Sequence, residues 1–253
     1  MKLMSFNTQH CLNYITRQID FEVMAKAILA CEADVVGLNE MRGAGSSAEY
    51  EEQVERLAAL TGMPYFYFAK AIDCPGGGPY GNGLLSKYPI KETEIIPIPN
   101  PETKTEGNYY EPRVILHATV DIEGRDVEFF VTHVGLAAEE KELAIKTLMP
   151  FVSITDNPVI VMGDFNMTSD DPIMKPLMNT LQDTFEVYPD KTVFTWPCKA
   201  EMFPKYPPST HQKLDFIFVS HHFKVESVEI PELILSDHKP YIAYLDLLDE
   251  AKG

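Results

Sequence analysis

The chain has 253 residues, 45% of them hydrophobic and 23% charged, a globular composition that excludes disorder, collagen and coiled coil as descriptions of the whole. At roughly 100 to 200 residues per domain, that length forms one large domain or two small ones, either with a full apolar core. Its 38 acidic and 21 basic residues leave a formal net charge of −17, which opposes long-range attraction to nucleic acid or an anionic membrane, although a bound divalent cation or a few placed Arg and His residues reverse the field locally.

Leu3 to Phe6 is a short apolar strand ending at Asn7. The segment MKLMSFNTQHCLN lacks the apolar run of a signal peptide, and no later stretch approaches the about 18 apolar residues of a membrane span, so a soluble, cytoplasmic chain is expected. Asp20 is a plausible N-cap for a helix whose Met24, Ile28 and Cys31 share one face. Asp34 to Leu38 is a strand stopping at Asn39-Glu40. Ser47 to Leu60 has helical spacing through Tyr50, Val54 and Leu57, with Thr61-Gly62 as its stop. Tyr65 to Ala69 is the next strand, and 73–83, with five glycines besides its prolines, is a loop. Gly83 to Lys87 begins another strand, and 99–112 is a second long loop.

Val114 to Ile122 alternates apolar and polar residues and turns at Glu123-Gly124-Arg125 into Val127 to Val134, a hairpin. Glu139 to Val152 is an amphipathic helix. Val159 to Met162 is an apolar strand running into Gly163-Asp164-Phe165-Asn166. Asp170 and Pro172 open a helix through Met178. An irregular stretch, 186–212, precedes Leu214 to Val219, a hairpin partner near Lys224 to Ile230, and a last strand from Tyr241 to Leu247. Without internal repeats or a dividing linker, 1–253 is expected to form a single mixed α/β domain with much antiparallel strand. Cys11, Cys31, Cys74 and Cys198 match neither a zinc motif nor a dense disulfide framework and are expected to be reduced.

Polar residues gather where apolar runs end: Asn7, Glu40, His133, Asp164 with Asn166, and Asp237 with His238. Each has an ordinary reading alone: a strand-end carboxylate, a turn stabilised by Asp and Asn, a core histidine, a cap. Brought together at one rim of a sheet, however, the carboxylates repel unless a cation lies between them, and oxygen ligands such as Glu40 and Asp237 suit Mg²⁺ or Mn²⁺.

The segments SFN (5–7), LNEMR (38–42), GNGLLSKYPI (81–90), EPRVIL (111–116), THV (132–134), GDFN (163–166), KLDFIFVS (213–220) and SDH (236–238) together resemble the endonuclease/exonuclease/phosphatase superfamily, which includes pancreatic deoxyribonuclease, abasic-site endonucleases, neutral sphingomyelinases and inositol polyphosphate phosphatases. The resemblance implies a four-layer α/β/β/α sandwich of two mixed, largely antiparallel sheets flanked by helices, with the active site at one rim. It also implies roles. Glu40 is the principal metal ligand, with Asn7 and Asp237 as direct or water-mediated ligands. Asp164 orients or deprotonates the attacking water, Asn166 fixes water or phosphate, and His238 contacts phosphate with its ring held by Asp215. His133 contacts phosphate or protonates the leaving oxygen in some branches, and Arg113 and Asn82 bind phosphate or support the site. Gln9 departs from the abasic-site branch, which is acidic there, and Lys213 replaces a common Arg, losing bidentate geometry.

Phosphate-ester hydrolysis demands rate gains that can exceed roughly 10¹⁷, more than one residue supplies. A metal ion, an aligned water and a histidine donor divide that work. Basic residues are scattered rather than clustered, which disfavours nucleic acid, although Arg42 resembles an arginine that pancreatic deoxyribonuclease inserts into the minor groove. Tyr80, Tyr109, Tyr110, Trp196, Met202, Phe203 and Tyr206 lie on expected loops; they either pack those loops or receive an apolar or stacked leaving group. The expectation is a Mg²⁺- or Mn²⁺-dependent phosphoesterase, monomeric and not membrane-bound, acting on a small phosphate ester by in-line attack of water. A nuclease of the same mechanism is the alternative. A non-catalytic binding module is a third class, opposed by the completeness of the residue set.

Overall fold

The computed structural model describes residues 1–46, 50–75, 77–105, 110–199 and 211–248. Along them run β1 (Lys2–Asn7), α1 (Phe21–Ala30), β2 (Val35–Arg42), α2 (Gln53–Thr61), β3 (Tyr65–Asp73), β4 (Pro79–Ser86), β5 (Ile90–Ile98), β6 (Arg113–Ile122), β7 (Arg125–His133), α3 (Ala138–Ile154), β8 (Val159–Asp164), α4 (Lys175–Thr180), β9 (Gln182–Asp183), β10 (Asp215–Val219), β11 (Phe223–Glu229) and β12 (Tyr241–Leu247).

The central strands are apolar on both faces, so both faces need cover. In β8, Ile160 and Met162 join a core formed with Leu3, Val35, Leu84, Phe129 and Ile217. Val159 and Val161 point the other way, toward Ile145, Leu148 and Leu177 of α3 and α4. On the first sheet, Met4, Phe6, Val36 and Leu38 meet Met24 and Ile28 of α1 and Leu57 of α2. Each fully buried aliphatic side chain contributes about 1.5–3 kcal/mol. The result is helix, sheet, sheet, helix: one six-stranded sheet ordered β11-β12-β1-β2-β4-β3 against another ordered β5-β6-β7-β8-β10-β9. The pairs β1/β2 and β7/β8 are parallel, and the remaining strand pairs are antiparallel. No helix among the described residues is long and apolar enough to cross a membrane.

Parallel pairing of β1 with β2 and of β7 with β8 sends the ends of all four to one rim. The antiparallel β10 and β12 begin there, with Asp215 opposite Asp164 and Tyr241 opposite Ser5. Gly163 makes the approach of β7 to β8 possible: its φ is +143°, and a Cβ there would lie 1.9 Å from the Thr132 carbonyl oxygen.

Several local expectations are corrected. β5 was not expected, because Lys91 to Glu94 break the apolar alternation and Pro97 withholds a donor. It pairs on one side with β6 and is largely exposed, and charges and proline are tolerated on such an edge. β4 runs through part of the expected 73–83 loop. Gly81 fits there because a Cβ would fall 2.0 Å from the Ala69 carbonyl oxygen of β3. α2 starts only at Gln53, so Tyr50 precedes the helix, while Ser47 lies outside the described residues. The expected 170–178 helix is a 3-10 turn (Pro172–Met174) followed by α4, and its cap is Asp171, not Asp170: Asp171 Oδ1 accepts from Ile173 N at 3.0 Å. β9 and a 3-10 turn at Thr184–Val187 also escaped the pattern, being too short to show periodicity. Tyr109, Met202, Phe203 and Tyr206 lie outside the described residues.

Candidate active site

Asn7, the last residue of β1, is fully buried, and its amide is the joint of the site. Nδ2 donates to Glu40 Oε1 at 3.0 Å and to Asp164 Oδ2 at 3.1 Å, while Oδ1 accepts from Gln9 N at 3.1 Å. Asn7 therefore presents nitrogen, not oxygen, to the two acids and fixes one carboxylate against the other.

Glu40 lies inside β2, at the register shift between Leu38 and Met41, with φ +62°. That left-handed residue costs of order 1 kcal/mol and is held by the ladder on both sides. Burial and the neighbouring charge of Asp237 push its carboxyl up to about 7, against the opposing pull of Asn7 and His238. A buried acid opposed by further carboxylates, presenting oxygen ligands, is what a hard divalent cation relieves. Glu40 and Asp237 fit such an ion. Asp237 Oδ1 accepts from Ser236 Oγ at 3.1 Å.

Asp164 ends β8 and is 1% exposed. Its Oδ1 accepts from Asn166 N at 3.0 Å. Burial pushes its carboxyl up to about 6, with Asp215 adding to the shift and His238 opposing it. Oδ2 faces two imidazoles, His238 Nε2 at 3.5 Å and His133 Nε2 at 3.6 Å. Asn166, at φ +51°, donates from Nδ2 to the Val134 carbonyl at 2.9 Å.

The histidines differ in kind. His238 Nδ1 is 2.8 Å from Asp215 Oδ2. Burial disfavours its charge, but the carboxylates of Asp215 and Asp164 outweigh that and push its pKa up to about 10. Asp215 is itself fully buried, its backbone N–H donating to Thr195 Oγ1 at 3.2 Å. His133 ends β7, and its Nδ1 lies 2.8 Å from Arg113 Nη1. Burial, then the charges of Arg113 and His238, hold its pKa well below the usual histidine value. Asp164, Asp215 and His238 each offer a ligand atom within 4.8 Å of the others, but the 2.8 Å His238–Asp215 contact already engages that pair.

Asn82 does not open to the site. Its Nδ2 donates to the Val114 carbonyl at 3.0 Å and its Oδ1 accepts from Asn39, so it ties β4 to the second sheet. Asn39, which sequence reasoning treated only as a strand stop, is the hub: it donates to Asn82 and to the Thr132 carbonyl, each at 2.9 Å, and accepts from Asp164 N at 3.0 Å. Its signal was adjacency to Glu40. Tyr80, expected on a loop as packing or as a surface for a stacked leaving group, is not on a loop. It lies on β4 opposite Arg42, and its hydroxyl bonds Arg113. Burial and the charge of Glu40 raise its pKa well above the usual value. Arg42 stacks on Tyr50 with its guanidinium carbon 4.7 Å from the ring centre. Lys213 is buried behind Asp215, with Nζ 3.5 Å from Asp183 and 3.1 Å from the Phe216 ring centre; burial lowers its pKa to about 7.

A family model described as the endonuclease/exonuclease/phosphatase family matches residues 4–238. The chain is 25% identical over 176 residues to the uncharacterized protein YbhP of Escherichia coli K12, a match covering 65% of this chain and 66%, just under two thirds, of that relative. Among solved structures, it resembles an endonuclease/exonuclease/phosphatase protein from Beutenbergia cavernae (TM-score 0.80, 23% identity, 98% of this chain and 72% of that one). It also resembles a mannosyl-6-phosphatase from Bacteroides thetaiotaomicron (TM-score 0.74, 16% identity, 97% and 99%). At these identities the likeness to solved structures is one of fold.

Proposed function

The chain belongs to the endonuclease/exonuclease/phosphatase family, whose members are hydrolases acting on phosphate esters, and from that premise we propose that it is a divalent-metal-dependent phosphoesterase acting on a small, soluble phosphate ester. The observation that carries the reading is the convergence on Asp164 of Glu40, through the Asn7 amide, and of His238 at 3.5 Å. These groups come from three distant parts of the chain.

The side chains divide the reaction. Asp164 accepts a hydrogen bond from the attacking water, aligns its lone pair on phosphorus and takes its proton as the new O–P bond forms. His238, kept cationic by Asp215, donates from Nε2 to a phosphoryl oxygen as charge accumulates there. Asn166, whose backbone N–H bonds Asp164, and His133, with Nε2 3.6 Å from Asp164, adjoin the same carboxylate. Glu40 and Asp237 would hold a Mg²⁺ or Mn²⁺ ion, which would supply neutralisation of the phosphoryl oxygens and of the departing oxygen. Asn7 holds Glu40 and Asp164 in register.

The net charge of −17 and the mannosyl-6-phosphatase of like fold both favour a small ester over a duplex. A nuclease is the second reading, supported by the Arg42–Tyr50 stack two residues beyond Glu40, where a base or sugar could rest. Incubation with p-nitrophenyl phosphate, bis-p-nitrophenyl phosphate, mannose 6-phosphate and plasmid DNA, each with Mg²⁺ or chelator, tests both. Metal-dependent release from small esters is expected; cleavage of DNA alone supports the second reading, and no turnover anywhere rejects both.

A further inference from the structure

The two imidazoles that face Asp164 receive opposite partners at Nδ1: a carboxylate oxygen for His238, a guanidinium nitrogen for His133. Guanidinium nitrogens carry only donor hydrogens and do not deprotonate in proteins. A hydrogen bond of 2.8 Å from Arg113 Nη1 therefore requires His133 Nδ1 to accept. The single ring proton is then on Nε2, the atom 3.6 Å from Asp164 Oδ2. A second proton could enter only at Nδ1, against a hydrogen of the guanidinium.

We propose that Arg113 is a positioning residue that fixes His133 as its neutral Nε2–H tautomer, so that His133 meets the substrate as an uncharged hydrogen-bond donor and not as the proton source for the leaving oxygen. The statement about substrate rests on the phosphoesterase reading; the tautomer does not.

The surroundings agree. His133 is faced by Arg113 from β6, by His238 from the segment before β12, and by Asp164 from β8. Asp164 supplies negative charge, but it also faces the His238 cation and accepts from Asn7. Burial and the two cations hold the His133 pKa well below the usual value. Arg113 is itself held, 3.5 Å from Glu111 and bonded by Tyr80, with its side chain 13% exposed. The site thus pairs one cationic imidazole with one neutral one, and Arg113 sets the difference.

The test is a two-bond ¹H–¹⁵N correlation spectrum of histidine-labelled protein, with the His133 signals assigned by their loss in His133→Gln. In the wild type we expect an unprotonated Nδ1 and a protonated Nε2 for His133, unchanged from about pH 5.5 to 8.5, across the ordinary histidine midpoint. Arg113→Met, which keeps bulk but removes the donors, should let His133 take a second proton within that range. It should also add an ionisation to the pH profile of kcat/KM, and Arg113→Lys should partly reverse both changes. A protonated Nδ1, a titrating His133 in the wild type, or an unaltered His133 in a folded Arg113→Met variant would each overturn the proposal. If Arg113→Met fails to fold, the wild-type spectrum still decides. The spectrum is read without turnover, so a failed activity panel leaves this result standing.

Discussion

Asn7 donates to Asp164 across 157 positions of sequence, Nδ2 to Oδ2 at 3.1 Å, while the same nitrogen donates to Glu40 at 3.0 Å. One buried amide thereby joins the candidate metal ligand of the first sheet to the candidate base of the second. Asn7→Ala removes two charge-assisted bonds and leaves both acceptors without that donor, a loss of about 1–3 kcal/mol. We expect turnover to fall about 10- to 100-fold with the circular dichroism spectrum retained. Asp164→Asn should fall further, by about 10²-fold or more. Steady-state kinetics on the best small ester checks both, and near wild-type rates remove the residue from the mechanism.

Metal binding should be linked to the Glu40 proton. With its carboxyl pushed up to about 7, Glu40 is half protonated near neutrality, and an ion must displace that proton. Mg²⁺ should therefore raise the melting temperature more at pH 8 than at pH 6. At a hundredfold excess over Kd the stabilisation is about 2.7 kcal/mol. Glu40→Gln should abolish the shift at both pH values, as differential scanning fluorimetry with metal and chelator would show.

The pair His117–Glu128, far from the site, gives a pH dependence of stability with a definite sign. His117 Nε2 is 2.8 Å from Glu128 Oε2, Nδ1 is 3.6 Å from Glu94, and the ring stacks on Phe130 at 4.5 Å. Burial opposes the charge on each, yet their mutual bond prevails and raises the His117 pKa above 6.5 while lowering that of Glu128 below 4.5. The His117 contribution is complete below 6.5 and disappears as pH rises through its folded value; that of Glu128 is complete above 4.5 and disappears as pH falls through its folded value. His117→Gln should cost most at about pH 5 to 6, on the order of 1 kcal/mol after solvent screening, and less at pH 9. Urea midpoints at both ends check this, and a pH-independent difference would contradict it.

Gly163→Ala should destabilise strongly, because φ +143° and a Cβ 1.9 Å from the Thr132 carbonyl cannot both be accommodated. A loss of about 3 kcal/mol or more is expected from strain and separation of β7 from β8. A chemical denaturation midpoint unchanged from wild type would show that the strands can part without cost.

Legibility followed burial. β6, with its apolar alternation, and β7 and β12, with their near-continuous apolar runs, were readable because their side chains enter the cores on one or both faces. The edge strand β5 was not, since a strand exposed to water on its outer side needs no apolar code. Glu40, His133, Asp164, Asp237 and His238 could be named from residue type at strand ends and from family segments.

By itself the sequence determined a mixed α/β domain with much antiparallel strand, the family resemblance that implies two sheets with helices outside, and the list of chemistry-bearing side chains. Tertiary structure alone decided which atom of each side chain faces which partner: that Asn7 offers nitrogen rather than oxygen, that Asn82 is closed into the scaffold, and that His238 meets a carboxylate where His133 meets Arg113. The reason is physical. Residue type fixes what a group can donate or accept, but the proton it carries is set by a neighbour brought to its ring nitrogen by sheet register, from 20 positions away at Arg113 and 23 at Asp215, and no local pattern encodes that meeting.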